Sequence, residues 1–181
     1  MLVFLAPAGC GNERSPAPEL SAEPAAEETQ ALDYPAVGLR LELPRNFTVQ
    51  ETERPGVFRA TFGPASVSAY AYRRREEVPG NEKELQNAAE RLEKATQERS
   101  SSFELSRSHT LEVDGARAIE LIGRQTISQS RLRTRSLHIF KGKAEYVIEL
   151  LAPPDEFERL DESVTELIRS SLEITGKVPP A

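Results

Sequence analysis

The sequence predicts an α+β fold: a twisted antiparallel sheet of about six or seven strands flanked by two main helices, an α/β/α sandwich. Three observations predict it. Residues 132–151 read as two strands around a tight turn, and residues 155–172 read as a strongly amphipathic helix directly after them. The stretch before them reads as further short strands interrupted by one more helix. A chain of 181 residues, 38% hydrophobic and 29% charged, holds one ordinary globular domain with a tail.

Residues 1–10 are apolar and close on Ala8 and Gly9 before Cys10, the only cysteine. One cysteine excludes an internal disulfide and any cysteine-based metal site. Residues 11–33 hold six acids (Glu13, Glu19, Glu23, Glu27, Glu28, Asp33) against Arg14, which accounts for −5 of the net charge of −6. Rich in Ala, Pro, Glu and Ser, this segment has little to bury and is expected to be a disordered acidic tether. Extended at ~3.1 Å per residue it would reach about 70 Å. The folded domain is expected over 34–175, with a tail at 176–181.

Within the domain, alternation over 37–43 turns Val37, Leu39, Leu41 and Leu43 inward until Pro44 stops the strand. Residues 47–50 extend an edge, and 56–62 and 65–72 form two strands around Gly63 and Pro64. In the second of these, Ala65, Val67, Ala69 and Ala71 make a small-residue face that lets a helix approach closely, opposite Tyr70 and Tyr72. The first helix covers 81–99, with Leu85, Ala88, Ala89, Leu92 and Thr96 on one narrow face. A strand at 103–113, a turn at Asp114 and Gly115, a long strand at 116–128 and a short turn at 128–130 lead into the hairpin.

The hairpin turns at Gly142, which accepts the positive φ such a turn requires. A two-residue turn puts Leu137, Ile139, Tyr146, Ile148 and Leu150 on one face, and Ser136, His138, Glu145, Val147, Glu149 and Leu151 on the other. Neither face is purely polar, so both are expected to be at least partly covered. Pro153 and Pro154 end the strand, and Asp155 with Glu158 reads as a capping box. Phe157, Leu160, Val164, Leu167, Ile168 and Leu172 then form one helical face, with Asp161 and Glu162 on the solvated side.

The chemical inventory is thin. His109 and His138 are the only histidines, and neither sits in an H-x-x-x-H or acid–His pattern, so half-buried strand positions are the plainer reading. Ser100, Ser101, Ser102, Ser170 and Ser171 lack nucleophile-elbow context, and no Gly-rich phosphate loop occurs. No residue is nominated as catalytic or metal-ligating, and no cofactor is expected. Outside the tether the net charge is near −1, which argues against a nucleic-acid surface. Of the 18 arginines, Arg124, Arg131, Arg133 and Arg135 bracket one turn and are brought close by antiparallel pairing. Like charges across a ladder repel. Either Glu120, Glu145 and Glu149 neutralise them in cross-strand pairs, or an anionic partner does. Arg73, Arg74 and Arg75 read as a solvated guard on a strand end.

Two resemblances add to this. Ala8-Gly9-Cys10 behind an aliphatic run resembles the lipobox of bacterial lipoproteins. That resemblance implies that Cys10 is lipidated, becomes the mature N-terminus and anchors the protein on the extracytoplasmic side of a bacterial cell membrane; a lone incidental cysteine is the alternative. The order strands, helix, meander, helix over 34–175 resembles the PsbP-like fold. It rests on Gly38-Leu39-Arg40-Leu41-Glu42-Leu43-Pro44, Asp114-Gly115-Ala116-Arg117-Ala118, Tyr146-Val147-Ile148 and the final helix. That fold is shared by an extrinsic photosystem II subunit, a Ran-binding nuclear-import factor and many small bacterial lipoproteins. The resemblance implies binding or assembly roles, and no functional residue carries over. The expected function is therefore a non-enzymatic binding or assembly module at the cell envelope, whose partner is an envelope protein or an anionic ligand. The alternative is a carrier holding a small apolar ligand or lipid between sheet and helix. The sequence does not fix the oligomeric state.

Overall fold

The structure, a computed structural model, describes residues 28–177. Cys10 and most of the expected tether lie outside the described residues, as do residues 178–181.

The strands β1 (Thr29–Tyr34) and β2 (Leu39–Pro44) form a small antiparallel sheet that a two-residue β10 (Glu173–Ile174) completes, in the order β1-β2-β10. A larger antiparallel sheet contains β3 (Thr48–Glu51), β4 (Gly56–Phe62), β5 (Ala65–Arg73), β6 (Glu104–Val113), β7 (Ala116–Ile127), β8 (Ser130–Lys141) and β9 (Ala144–Ala152). Its order is β3-β4-β5-β9-β8-β7-β6. The helices are α1 (Glu82–Arg99) and α2 (Pro154–Ser171).

The hairpins form where turn chemistry places them. Lys141 pairs with Ala144 around Gly142 at φ 60°, and Ile127 pairs with Ser130 around Ser128 and Gln129, both at positive φ. The resulting register puts Leu137 opposite Ile148 and Ile139 opposite Tyr146, and this face is the main core. Phe157, Leu160, Val164 and Ile168 of α2 pack onto it together with Ala65, Val67, Ala69 and Ala71 of β5 and Leu39, Leu41 and Leu43 of β2. Each large side chain fully buried there stabilises the fold by roughly 1.5–3 kcal/mol. The small sheet and α2 thus share one side of the large sheet. On the other side Leu85 and Ala89 of α1 pack on Ile119, Leu121 and Phe140. That helix lies over β6 and β7, and its narrow stripe leaves β5 and β9 unroofed.

Four expectations need correction. The domain begins at Thr29, inside the segment expected to be disordered. Gln30, Leu32 and Tyr34 alternate inward, the Gln30 amide donates to the Phe47 carbonyl at 2.7 Å, and Tyr34 stacks on Phe58. The alternation is weak in the sequence because only two of those three inward residues are apolar. At the start of α2, Pro153 is the N-cap, Pro154 occupies the first turn and no side chain caps the helix. Glu158 turns instead to Arg133. Leu167 is only half-buried, at the margin of the helix face, whereas Asp161, expected in solvent, is 8% exposed.

Candidate functional site

The four arginines do not act as one group. Arg124 and Arg133 are direct cross-strand partners, and each is matched by its own acid. Arg124 donates to Glu104 Oε2 from Nε and Nη2 at 2.9 and 2.5 Å, on the surface. Arg133 bonds Glu158 of α2 and lies over the Phe157 ring at 4.4 Å. Arg131 is exposed and has no ion-pair partner among the described residues. These three line a cleft of about 560 Å³ with Ser102, Glu104 and Pro154. The expected pairing with Glu145 and Glu149 does not occur, because those two acids occupy the opposite face of the sheet from Arg131, Arg133 and Arg135.

Arg135 belongs to a different structure, a closed ion cluster between sheet and α2. It grips Asp161 with Nε and Nη2 at 2.5 and 2.6 Å, and Nη1 lies 2.5 Å from Glu120 Oε2. Glu120 is wholly buried; Arg169 of α2 bonds its other oxygen, and His109 Nε2 lies 3.0 Å from Oε2. Neither contact to Oε2 is aligned as a hydrogen bond. Burial works against the Arg135 charge, yet its bonds to Asp161 and the adjacent Glu120 charge hold its pKa above the ordinary arginine value. Two acids face two guanidinium groups, so the cluster is balanced, and it fixes the seat of α2.

The unroofed half of the other face forms a groove of about 530 Å³. Its floor follows from the register. On β5 stand Ser68, Tyr70 and Tyr72; opposite them on β9 stand Glu149, Val147 and Glu145; and opposite those on β8 stand Ser136, His138 and Phe140. Leu92, Thr96 and Arg99 of α1 form one wall. Tyr70 and Tyr72 lie nearly parallel with centroids 6.3 Å apart, and Tyr72 is 37% exposed.

A hydrogen-bonded chain crosses this floor. Arg74 Nη1 donates to Glu145 Oε2 at 2.9 Å, His138 Nδ1 lies 3.0 Å from Glu145 Oε1, and His138 Nε2 lies 3.1 Å from Ser136 Oγ. Burial raises the Glu145 pKa, but the His138 bond and charge and the Arg74 ion pair outweigh it and hold the carboxyl below the usual range. Glu149 is the opposite case. Burial raises its pKa against the pull of the His138, Arg99 and Arg59 charges and the Thr134 hydroxyl, and no ion pair among the described residues reaches it.

The order carboxylate, imidazole, hydroxyl is that of a nucleophilic triad. Acyl transfer also needs free N–H donors beside the nucleophile to hold an oxyanion. Ser136 lies mid-strand between β7 and β9, where its backbone is engaged in the ladder. What the chain of bonds does here is fix the imidazole and present polar atoms along the groove.

Both histidines therefore meet an acid, which the sequence pattern did not reveal. His109 is the direct cross-strand partner of Glu120, and His138 is diagonal to Glu145 across the hairpin. The signal lay in the strand register rather than in local spacing. Alternation did place Ser136, His138, Glu145 and Glu149 on one face; the narrow α1 stripe was the clue that part of that face would stay open.

The architecture, a large antiparallel sheet with a smaller one and two helices, is a PsbP-like α+β fold. No protein-family model and no curated protein sequence matches the chain. Solved structures do. The cyanobacterial PsbP protein, CyanoP, of Synechocystis superposes with a TM-score of 0.63 at 12% identity, over 81% of this chain and 92% of that one. LpqN of Mycobacterium tuberculosis, a protein involved in cell envelope biogenesis, superposes with a TM-score of 0.59 at 16% identity, over 82% and 91%. At these identities the likeness is one of fold.

Proposed function

We propose that the chain is a lipid-anchored, extracytoplasmic binding module of the bacterial cell envelope, that it performs no catalysis, and that the groove beside α1 is its binding surface. The observation that carries the reading is the half-open sheet face. A sheet buried by α2 on one side and roofed by α1 over only β6 and β7 on the other presents a pair of tyrosines and the Glu149 carboxylate, which takes part in no ion pair among the described residues. The envelope setting rests on the Ala8-Gly9-Cys10 lipobox and on the shared fold with LpqN.

A carrier of apolar ligand between sheet and α2 is the weaker reading, because Phe157, Leu160, Val164 and Ile168 fill that interface. The Arg124, Arg131 and Arg133 cleft remains a second surface, for an anionic partner, favoured by the exposed Arg131, which has no ion-pair partner among the described residues.

Anchoring is tested by expressing the chain with its full native leader, as it stands and as Cys10→Ala, and fractionating the cells. The native chain is expected in the membrane pellet and the variant in the soluble extracytoplasmic fraction. A variant that stays with the membrane overturns lipid anchoring through Cys10.

A further inference from the structure

We infer that the α1-side groove binds an organic cation: an alkylammonium group on a short apolar stem, held between the Glu149 carboxylate and the faces of Tyr70 and Tyr72. The inference rests on the groove being the binding surface and names what it takes.

Two independent features point to a cation. The first is the tyrosine pair. Tyr70 is the cross-strand partner of Val147 and therefore lies diagonal to both Glu149 and Glu145. Aromatic rings side by side, with Tyr72 reaching solvent, offer negative π-faces to a cation within about 6 Å. The second is the state of the two carboxylates. Glu145 is complete, with Arg74 on one oxygen and His138 on the other. Glu149, four residues further along the same strand, has no ion pair among the described residues, and its flanking partners are the small Ser68 and Ser136, which leave room beside it. A carboxylate that burial has half stripped of water, with His138, Arg99 and Arg59 acting on it only from beyond ion-pair distance, favours an incoming positive group in direct contact. Leu92 of α1 and Val147 supply apolar contact for the stem.

The charged groups facing Glu149 from the packed elements are His138 on β8, Glu145 on β9, Arg59 on β4 and Arg99 on α1. The cations among them stay outside ion-pair distance. Arg99 donates from Nε to the Ala95 carbonyl at 3.3 Å and from Nη2 to Thr96 Oγ1 at 3.5 Å. As the pH falls through the raised Glu149 value the carboxylate is lost, so binding should weaken in acid. It should also weaken with salt.

The test is a titration of the folded protein followed by NMR, with cadaverine and Nα-acetyl-lysine amide as the cationic probes and pentanol as the neutral one. Saturable shifts at Tyr70, Tyr72 and Val147 are expected with a cationic probe, and pentanol should be at least about tenfold weaker. Glu149→Gln and, separately, Tyr70→Leu should each weaken the cation about tenfold or more. Arg99→Met should tighten it, since a competing charge is removed, and weaker binding by that variant would overturn Glu149 as the seat of the cation. Comparing the two cationic probes distinguishes a free amine from a lysine side chain as the source. If pentanol shifts the same residues as strongly, or if Glu149→Gln binds the cation equally well, the groove is still a binding surface but the cation assignment is overturned. If no probe perturbs the groove, the cation assignment is overturned, and a native-membrane pull-down that captures nothing is what would remove the binding-module reading as well.

Discussion

At the scale of single residues, the two sides of the sheet treat buried acids in opposite ways. Glu120 is wholly enclosed and is met by Arg135, Arg169 and His109, whereas Glu149 is half-buried with no ion pair among the described residues. Two stability forecasts follow from that contrast. Removing one member of the closed cluster strands the others, so Arg135→Ala should cost about 3–5 kcal/mol in denaturant unfolding. Arg124→Ala, whose Glu104 partner is exposed, should cost no more than about 1 kcal/mol. A loss of similar size for both variants would show that the cluster is not the structural pivot described. Glu149→Gln should instead stabilise the domain. A carboxyl whose pKa rises on folding holds its proton more tightly folded than unfolded. Stability therefore falls as pH rises from the ordinary glutamate value, about 4.3, through the raised value, and stays lower above it. The melting temperature of Glu149→Gln should exceed that of the unaltered protein at neutral pH, and the two should converge in acid below the ordinary value. A lower melting temperature at neutral pH would contradict an uncompensated carboxylate.

At the scale of elements, the sequence revealed most where apolar periodicity was strong. The 137–150 hairpin and the α2 face were legible because five strand positions and four helix positions all point into one core. The small sheet was not. Its β1 carries Gln30 and Asp33 beside Leu32 and Tyr34, and only tertiary contacts, such as the Gln30 amide on the Phe47 carbonyl, make it a strand. A chain beginning at Glu28 should keep the melting temperature of one beginning at Gly11, since residues 11–27 are acidic and poor in apolar groups. A chain beginning at Leu39 should melt several degrees lower, having lost the β1 ladder and the Tyr34–Phe58 stack. Equal melting temperatures for both would mean that β1 is ornamental. The ion cluster was illegible for a related reason. Asp161 and Arg169 fall on a helical surface that reads as polar, and only the packing of α2 on the sheet brings Asp161 to Arg135 and Arg169 to Glu120.

At the scale of the whole molecule, the fold class was readable and the groove was not. Alternation sorts side chains between two faces of a sheet, but it does not say how far a helix extends across one of them. Here α1 stops short of β5 and β9, and the opening follows from that. The arrangement of the small sheet has a further consequence. Since β1 packs with β2 and α2 on one side, the N-terminal segment joins the domain behind the large sheet, while the groove opens in front of it. A domain fastened by its N-terminus is held by its back. Whether the support is a sensor chip, a bead or a bilayer, it is attached on the side of the sheet away from the groove, so the attachment does not compete for the groove's lining.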